Sequence, residues 1–140
     1  MDIKTVTVIG AGTMGNGIAH VFARAGFRVL LRDLEQSFLD RALGNIIKSL
    51  DREIAKERLS PAERDQILAR IEPAVGRAGL ALSDFVVEAA SEKFETKAEL
   101  FRELDTLCRP DVIFASNTSS ISITKLAAAT RRPERVIGMH

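Results

Sequence analysis

The chain has 140 residues, 46% hydrophobic and 28% charged, with 20 Lys+Arg against 19 Asp+Glu and a formal net charge of +1. That balance suits one compact soluble domain and argues against a disordered tail, a fibre or a polyanion-seeking surface, so neither nucleic acid nor a membrane is an expected partner. A single cysteine, Cys108, and two histidines, His20 and His140, exclude an internal disulfide and a Cys/His zinc site, no metal is expected, and with no signal-like stretch after Met1 the expected address is the reducing cytoplasm.

Short apolar runs alternate with longer helical stretches, the pattern of an α/β fold with a doubly wound parallel sheet of Rossmann type. The first strand, Thr5 to Ile9, runs directly into Gly10-Ala11-Gly12-Thr13-Met14-Gly15. A helix follows with Ile18, Val21, Phe22 and Ala25 as its apolar stripe, closed by Gly26. A second strand, Phe27 to Arg32, ends at Asp33. Residues 35 to about 58 read as one amphipathic helix with Leu39, Leu43, Ile46, Ile47, Leu50 and Ile54 on one side. Ser60-Pro61-Ala62-Glu63 starts another, with a Ser N-cap, Pro at the first helical position and Glu able to close a capping box. Residues 35 to 70 are thus expected to form a helical hairpin inserted after the second strand. A weak extended piece near Arg70 to Val75 is the candidate third strand, and Phe85 to Ala89 is the fourth. Next come a helix bearing Phe94, Ala98, Phe101, Leu104 and Leu107, a strand from Val112 to Ala115 and the turn Ser116 to Ser120. A short helix through Leu126 and Ala129 and a last strand from Arg135 to Gly138 complete the order, ahead of His140.

A lone G-x-G-x-x-G is weak evidence, but this one has a strand before it, a helix after it and an acid at the end of the next strand. Asp33 lies 21 residues beyond Gly12, near the expected spacing of ~20. Gly10 allows the tight turn, Gly12 lets backbone approach a pyrophosphate, and Gly15 lets helix and strand pack closely. The helix start supplies free N–H groups and partial positive charge to an anion. Asp33 would accept hydrogen bonds from ribose hydroxyls and repel a 2′-phosphate, favouring NAD over NADP, although Arg32 beside it weakens that discrimination. A flavin adenine dinucleotide is the main alternative cofactor.

At this point the chain resembles the 3-hydroxyacyl-CoA dehydrogenase family, in particular its 3-hydroxybutyryl-CoA type. The resemblance rests on Val8 to Gly15, Val87-Glu88-Ala89, Phe114 to Ser120 and Gly138-Met139-His140, and spans the whole chain as that family's NAD-binding domain, 1–140. It implies NAD-dependent oxidation of (S)-3-hydroxyacyl-CoA to 3-oxoacyl-CoA in fatty acid or butanoate metabolism. His140 is then the catalytic base that takes the 3-hydroxyl proton as hydride passes from C3 to the nicotinamide. A histidine suits both directions because its unperturbed pKa of ~6.5 lies near working pH. Ser119 is implied to bind the substrate's C3 oxygen beside the nicotinamide. The same likeness assigns the cofactor to Gly10, Ala11, Gly12, Thr13, Met14, Gly15, Asp33, Glu92, Lys97 and Ser119, and coenzyme A to Ser49, Lys56 and Ser119. Members of the family continue past the corresponding His into Phe-Phe-Asn-Pro, a catalytic Glu and an all-helical second domain that makes most of a homodimer contact. A chain of these 140 residues alone is accordingly expected to be inactive or weakly active.

Read from the residues alone, plainer roles stay open. Ser119 could bond only its own turn, Glu92 could favour a helix start, and Lys97 and Lys56 could be solvated helix charges. His20 is expected to be an exposed filler, Cys108 a small buried apolar residue, and Arg131, Arg132 and Arg135 a solvated loop. Two other functions also fit: the NAD-binding domain of another β-hydroxyacid dehydrogenase, and a non-catalytic NAD-binding protein.

Overall fold

The computed structural model describes residues 2–140. Six strands form one all-parallel sheet: β1 (Thr5–Ile9), β2 (Arg28–Asp33), β3 (Ile71–Val75), β4 (Phe85–Glu88), β5 (Ile113–Ser116) and β6 (Val136–Gly138), in spatial order β3-β2-β1-β4-β5-β6. The helices are α1 (Thr13–Arg24), α2 (Gln36–Ala55), α3 (Pro61–Ala69), α4 (Phe94–Leu107) and α5 (Ile123–Ala128). This is the doubly wound Rossmann-type sheet. Its strand order reverses between β1 and β4, so the chain leaves those two strands in opposite directions and opens a crevice beyond their C-terminal ends.

The inner strands are buried on both faces, which is why they read as unbroken apolar runs. Alternate side chains separate into two cores. Val6, Val8, Val29, Leu31, Val87 and Ala115 pack with residues of α1, α2 and α3, whereas Ile9, Val86, Phe114 and Val136 pack with α4 and α5. Pro73 sits in β3, an edge strand, where its missing N–H costs no interior ladder bond.

Several expected features are present at the residue level. Ser60 caps α3 by accepting the Glu63 N–H (3.1 Å), with Pro61 at the first helical position. Gly26, at φ +103°, lies just past the end of α1. The weak third strand is real.

Others need correction. α1 buries Gly15, Ala19 and Ala23, while Val21 is 68% exposed and Ala25 is exposed. The helix lies so close to the sheet that small residues face it, with Ile18 and Phe22 of the expected stripe packed beside them and Val21 and Ala25 turned outward. α2 ends at Ala55 because Glu57 turns left-handed (φ +59°), which places Lys56 at the cap rather than within the helix. On α4, Leu107 is exposed while Lys97 and Asp105 are buried. Arg132 is buried as well, not a solvated loop charge. Its guanidinium pairs with Asp105 (2.6 Å), donates to the Cys108 and Asp105 carbonyls and lies over the Phe114 ring. His20 is half-buried, and burial pushes its pKa down, with Arg24 adding to the effect. Cys108 is buried as expected, its thiol pushed up to about 11 by burial.

Candidate dinucleotide site

The glycine loop is shaped by backbone contacts that leave no room for a side chain. Gly10 has φ +102°, and a Cβ there would lie 2.7 Å from the Ala89 carbonyl; at Gly15 it would lie 1.7 Å from the Gly10 oxygen. Gly12 differs, because nothing lies within 4 Å of its would-be Cβ. Gly10 and Gly15 are therefore needed for the fold, whereas Gly12 keeps open space in front of the loop.

That space is part of a cavity of about 650 Å³, lined by Gly10 to Thr13, Asp33, and Ala89 to Ser91 among others. α1 begins at the Gly12 cap with no side-chain cap bond and no acid in its first turn, so its leading N–H groups and dipole are left for an anion. Asp33 accepts hydrogen bonds from the Ala11 N–H (2.7 Å) and the Leu34 N–H (2.6 Å), so its carboxylate also clamps the loop it serves. An open cradle, free amides and an anchored carboxylate fit a dinucleotide with a pyrophosphate and an unphosphorylated ribose. Arg32 does not counter this. It is buried, and its guanidinium is committed to the backbone carbonyls of Leu31, Glu72 and Ala78.

The remaining candidates divide into two groups. Glu92, Ser119 and His140 follow the C-terminal ends of β4, β5 and β6, and all three are exposed on that edge. Glu92 accepts hydrogen bonds from Thr118 Oγ1 (3.1 Å) and Ser120 Oγ (3.3 Å), tying the loop after β4 to the turn after β5. Within that turn Thr118, not Ser119, accepts the backbone N–H groups of Ser120 and Ile121. Lys97 is buried, 1% exposed, and paired with Glu88, so it is not a solvated helix charge. Ser49, further along α2, and Lys56, at its C-terminal cap, lie away from the cavity lining, and Met14 turns its side chain into an apolar groove with Gly17 and Val21.

Sequence reading missed Phe38, Arg41 and Asn45, which line the cavity from α2 at helical spacing, and Arg77, whose ion pair with Glu103 (3.3 Å) forms part of its wall. The recurrence at 38, 41 and 45 was the available signal. It also passed over Glu88, a carboxylate ending an otherwise apolar strand.

A family model described as "3-hydroxyacyl-CoA dehydrogenase, NAD binding domain" matches residues 5–140. The chain belongs to this family. It is similar to the 3-hydroxybutyryl-CoA dehydrogenase of Bradyrhizobium diazoefficiens (49% identical, covering 99% of this chain and 47% of that protein). It is similar also to the 3-hydroxyadipyl-CoA dehydrogenase of Escherichia coli (43% identical, 100% and 30%). Among solved structures, (S)-3-hydroxybutyryl-CoA dehydrogenase from Ralstonia eutropha superposes with a TM-score of 0.96 at 45% identity, over 99% of this chain and 49% of that one. The chain spans about half the length of the 3-hydroxybutyryl-CoA dehydrogenases it matches. Membership in this NAD-binding, oxidoreductase family identifies the cofactor as NAD and leaves the flavin alternative without support. Among the described residues no helix is long and apolar enough to cross a membrane.

Proposed function

We propose that the chain is the cofactor-binding part of an enzyme that oxidises (S)-3-hydroxyacyl-CoA to 3-oxoacyl-CoA, of the short-chain 3-hydroxybutyryl type, in fatty acid or butanoate metabolism. The observation that carries this reading is the cradle: a glycine loop open at Gly12, unpaired α1 amides and Asp33, all beside the strands whose C-terminal ends are followed by Glu92, Ser119 and His140. NAD, when bound, supplies the hydride acceptor at its nicotinamide. The backbone amides of Thr13 to Gly15 hold its pyrophosphate and Asp33 its adenosine ribose, while Glu92 serves the nicotinamide half and Lys97, buried against Glu88, supports that half from within the fold rather than by contact. Ser119, whose hydroxyl is not engaged in its own turn, binds the C3 oxygen, and the His140 imidazole takes the hydroxyl proton. Ser49 and Lys56 hold coenzyme A, Lys56 as a point charge for phosphate. The protein carrying this domain works in the cytoplasm as a homodimer joined through a further helical domain, with an acyl-CoA as its only partner besides NAD.

Titration with NADH and NADPH tests the first half. The expected result is tighter NADH binding, with the preference collapsing in Asp33→Ala; equal affinities, or a preference that survives the substitution, overturn it. Acetoacetyl-CoA-dependent NADH oxidation by the protein carrying this domain tests the second. Its loss in His140→Gln with NADH affinity retained is expected. NADH binding without any turnover would favour a non-catalytic role instead.

A further inference from the structure

Glu88 is fully buried where β4 ends, at the switch point of the sheet. One carboxylate oxygen, Oε2, accepts the N–H groups of Ala90 (2.7 Å) and Ser91 (3.3 Å). The other, Oε1, accepts from Lys97 Nζ and from Ser116 Oγ (2.8 Å), and Lys97 Nζ also reaches Ser116 Oγ (3.4 Å). Ser116 is the register partner of Glu88 on β5, and its carbonyl accepts the N–H of Met139, the residue before His140. The Ala89–Ala90 segment that Glu88 pins is the surface on which Gly10 rests. Two residues further on, Glu92 holds the hydroxyls of Thr118 and Ser120 on either side of Ser119.

We infer that Glu88 is a positioning residue: through Lys97, Ser116 and the 90–91 amides it sets the loops after β4, β5 and β6, and with them the nicotinamide end of the site. A buried carboxylate with an ammonium, a hydroxyl and two amides as partners is fully satisfied. A neutral amide in its place cannot accept from the same four donors and leaves Lys97 charged without a counter-ion. The adenosine end meets the hub only where Gly10 rests on Ala89 and Ala90 and is otherwise held by the Gly15–Gly10 contact and by Asp33, so loosening the hub affects the nicotinamide end far more than the adenosine end. This inference rests on the NAD reading only for its ligand measurements.

The experiment compares the chain with Glu88→Gln by binding of NADH and of ADP-ribose, which lacks the nicotinamide ring, and by amide hydrogen exchange without ligand. Expected are a five- to tenfold weaker NADH complex, an ADP-ribose complex within twofold of the parent, and exchange at least tenfold faster at Ala90, Ser91 and 118–121, with β1 and β2 unchanged. Equal losses for both ligands, or exchange unaltered in those loops, would overturn the inference. Should Glu88→Gln not fold, Ser116→Ala keeps the ion pair and is expected to shift the same quantities in the same direction by about threefold; no selective shift there counts against the hub. A parent chain that binds neither ligand contradicts the NAD reading, while the exchange measurement still decides the role of Glu88.

Discussion

The two ends of the crevice are built from different materials. Around β1 and β2 the site is backbone: turns without side chains, helix amides and one carboxylate holding the loop. Around β4, β5 and β6 it is side chain. The buried pair of Glu88 with Lys97 braces the loops beyond these strands, and at the opposite edge of the sheet, ahead of β5 and β6, Asp105 with Arg132 braces the same half of the fold. A backbone-built end tolerates change wherever its glycines face open space and fails where they meet backbone. A charge-built end fails when one partner is removed and tolerates removal of both far better.

The largest effect should come from Gly15→Ala. A Cβ 1.7 Å from the Gly10 oxygen has to push α1 off the loop, so a loss of more than ~4 kcal/mol, or no folded protein, is expected in denaturant titration. An ordinary unfolding curve would mean that α1 can shift freely. Arg132→Met comes next, because it strands the Asp105 carboxylate within the fold; about 3–5 kcal/mol is expected. Pairing it with Asp105→Leu should recover much of that loss, which separates a charge-built brace from simple packing.

Gly12→Ala sharpens the contrast from the other side. It should cost only about 0.5–1 kcal/mol of stability, since nothing faces its Cβ and the change is at a helix cap, yet weaken NADH binding at least tenfold. Unchanged affinity would show that the ligand does not approach this backbone. The smallest effect concerns acid. Burial alone would raise the Asp105 pKa, but the Arg131 N–H and the Arg132 guanidinium outweigh it and hold the carboxyl below its ordinary value. A depressed carboxylate stabilises the fold fully above its unfolded pKa of ~3.9 and progressively less as pH falls through the folded value. Stability below about pH 4 should therefore fall less steeply in Asp105→Asn than in the parent, whatever the offset between them.

The difference between the ends also explains how much could be read in advance. Gly10, Gly12, Gly15 and Asp33 were legible because a backbone-built site needs specific residue types at fixed offsets within one strand-turn-helix-strand unit. Glu92, Ser119 and His140 fall at strand ends, so their placement on one edge followed from the strand order. Lys97 and Arg132 looked like surface charges, since no local pattern announces a partner 9 or 27 residues away. The face of α1 was read only in part, Ile18 and Phe22 but not Val21 and Ala25, for a related reason: Gly15, Ala19 and Ala23 bury themselves because the helix axis lies close to the sheet, a distance that hydrophobicity does not encode.

The sequence by itself determined the alternation of strands and helices, the Ser60 cap, the Gly10–Gly15 loop and the acid at Asp33. These are set by interactions within a few residues or by the period of apolar positions. Only the tertiary structure decided which charges are buried, which helix face meets the sheet, and that Glu88 lies at the centre of three loops. Those outcomes depend on which segments the strand order makes neighbours. Burial then makes each such pairing obligatory, because an unpartnered charge inside the fold costs more than the contacts around it return.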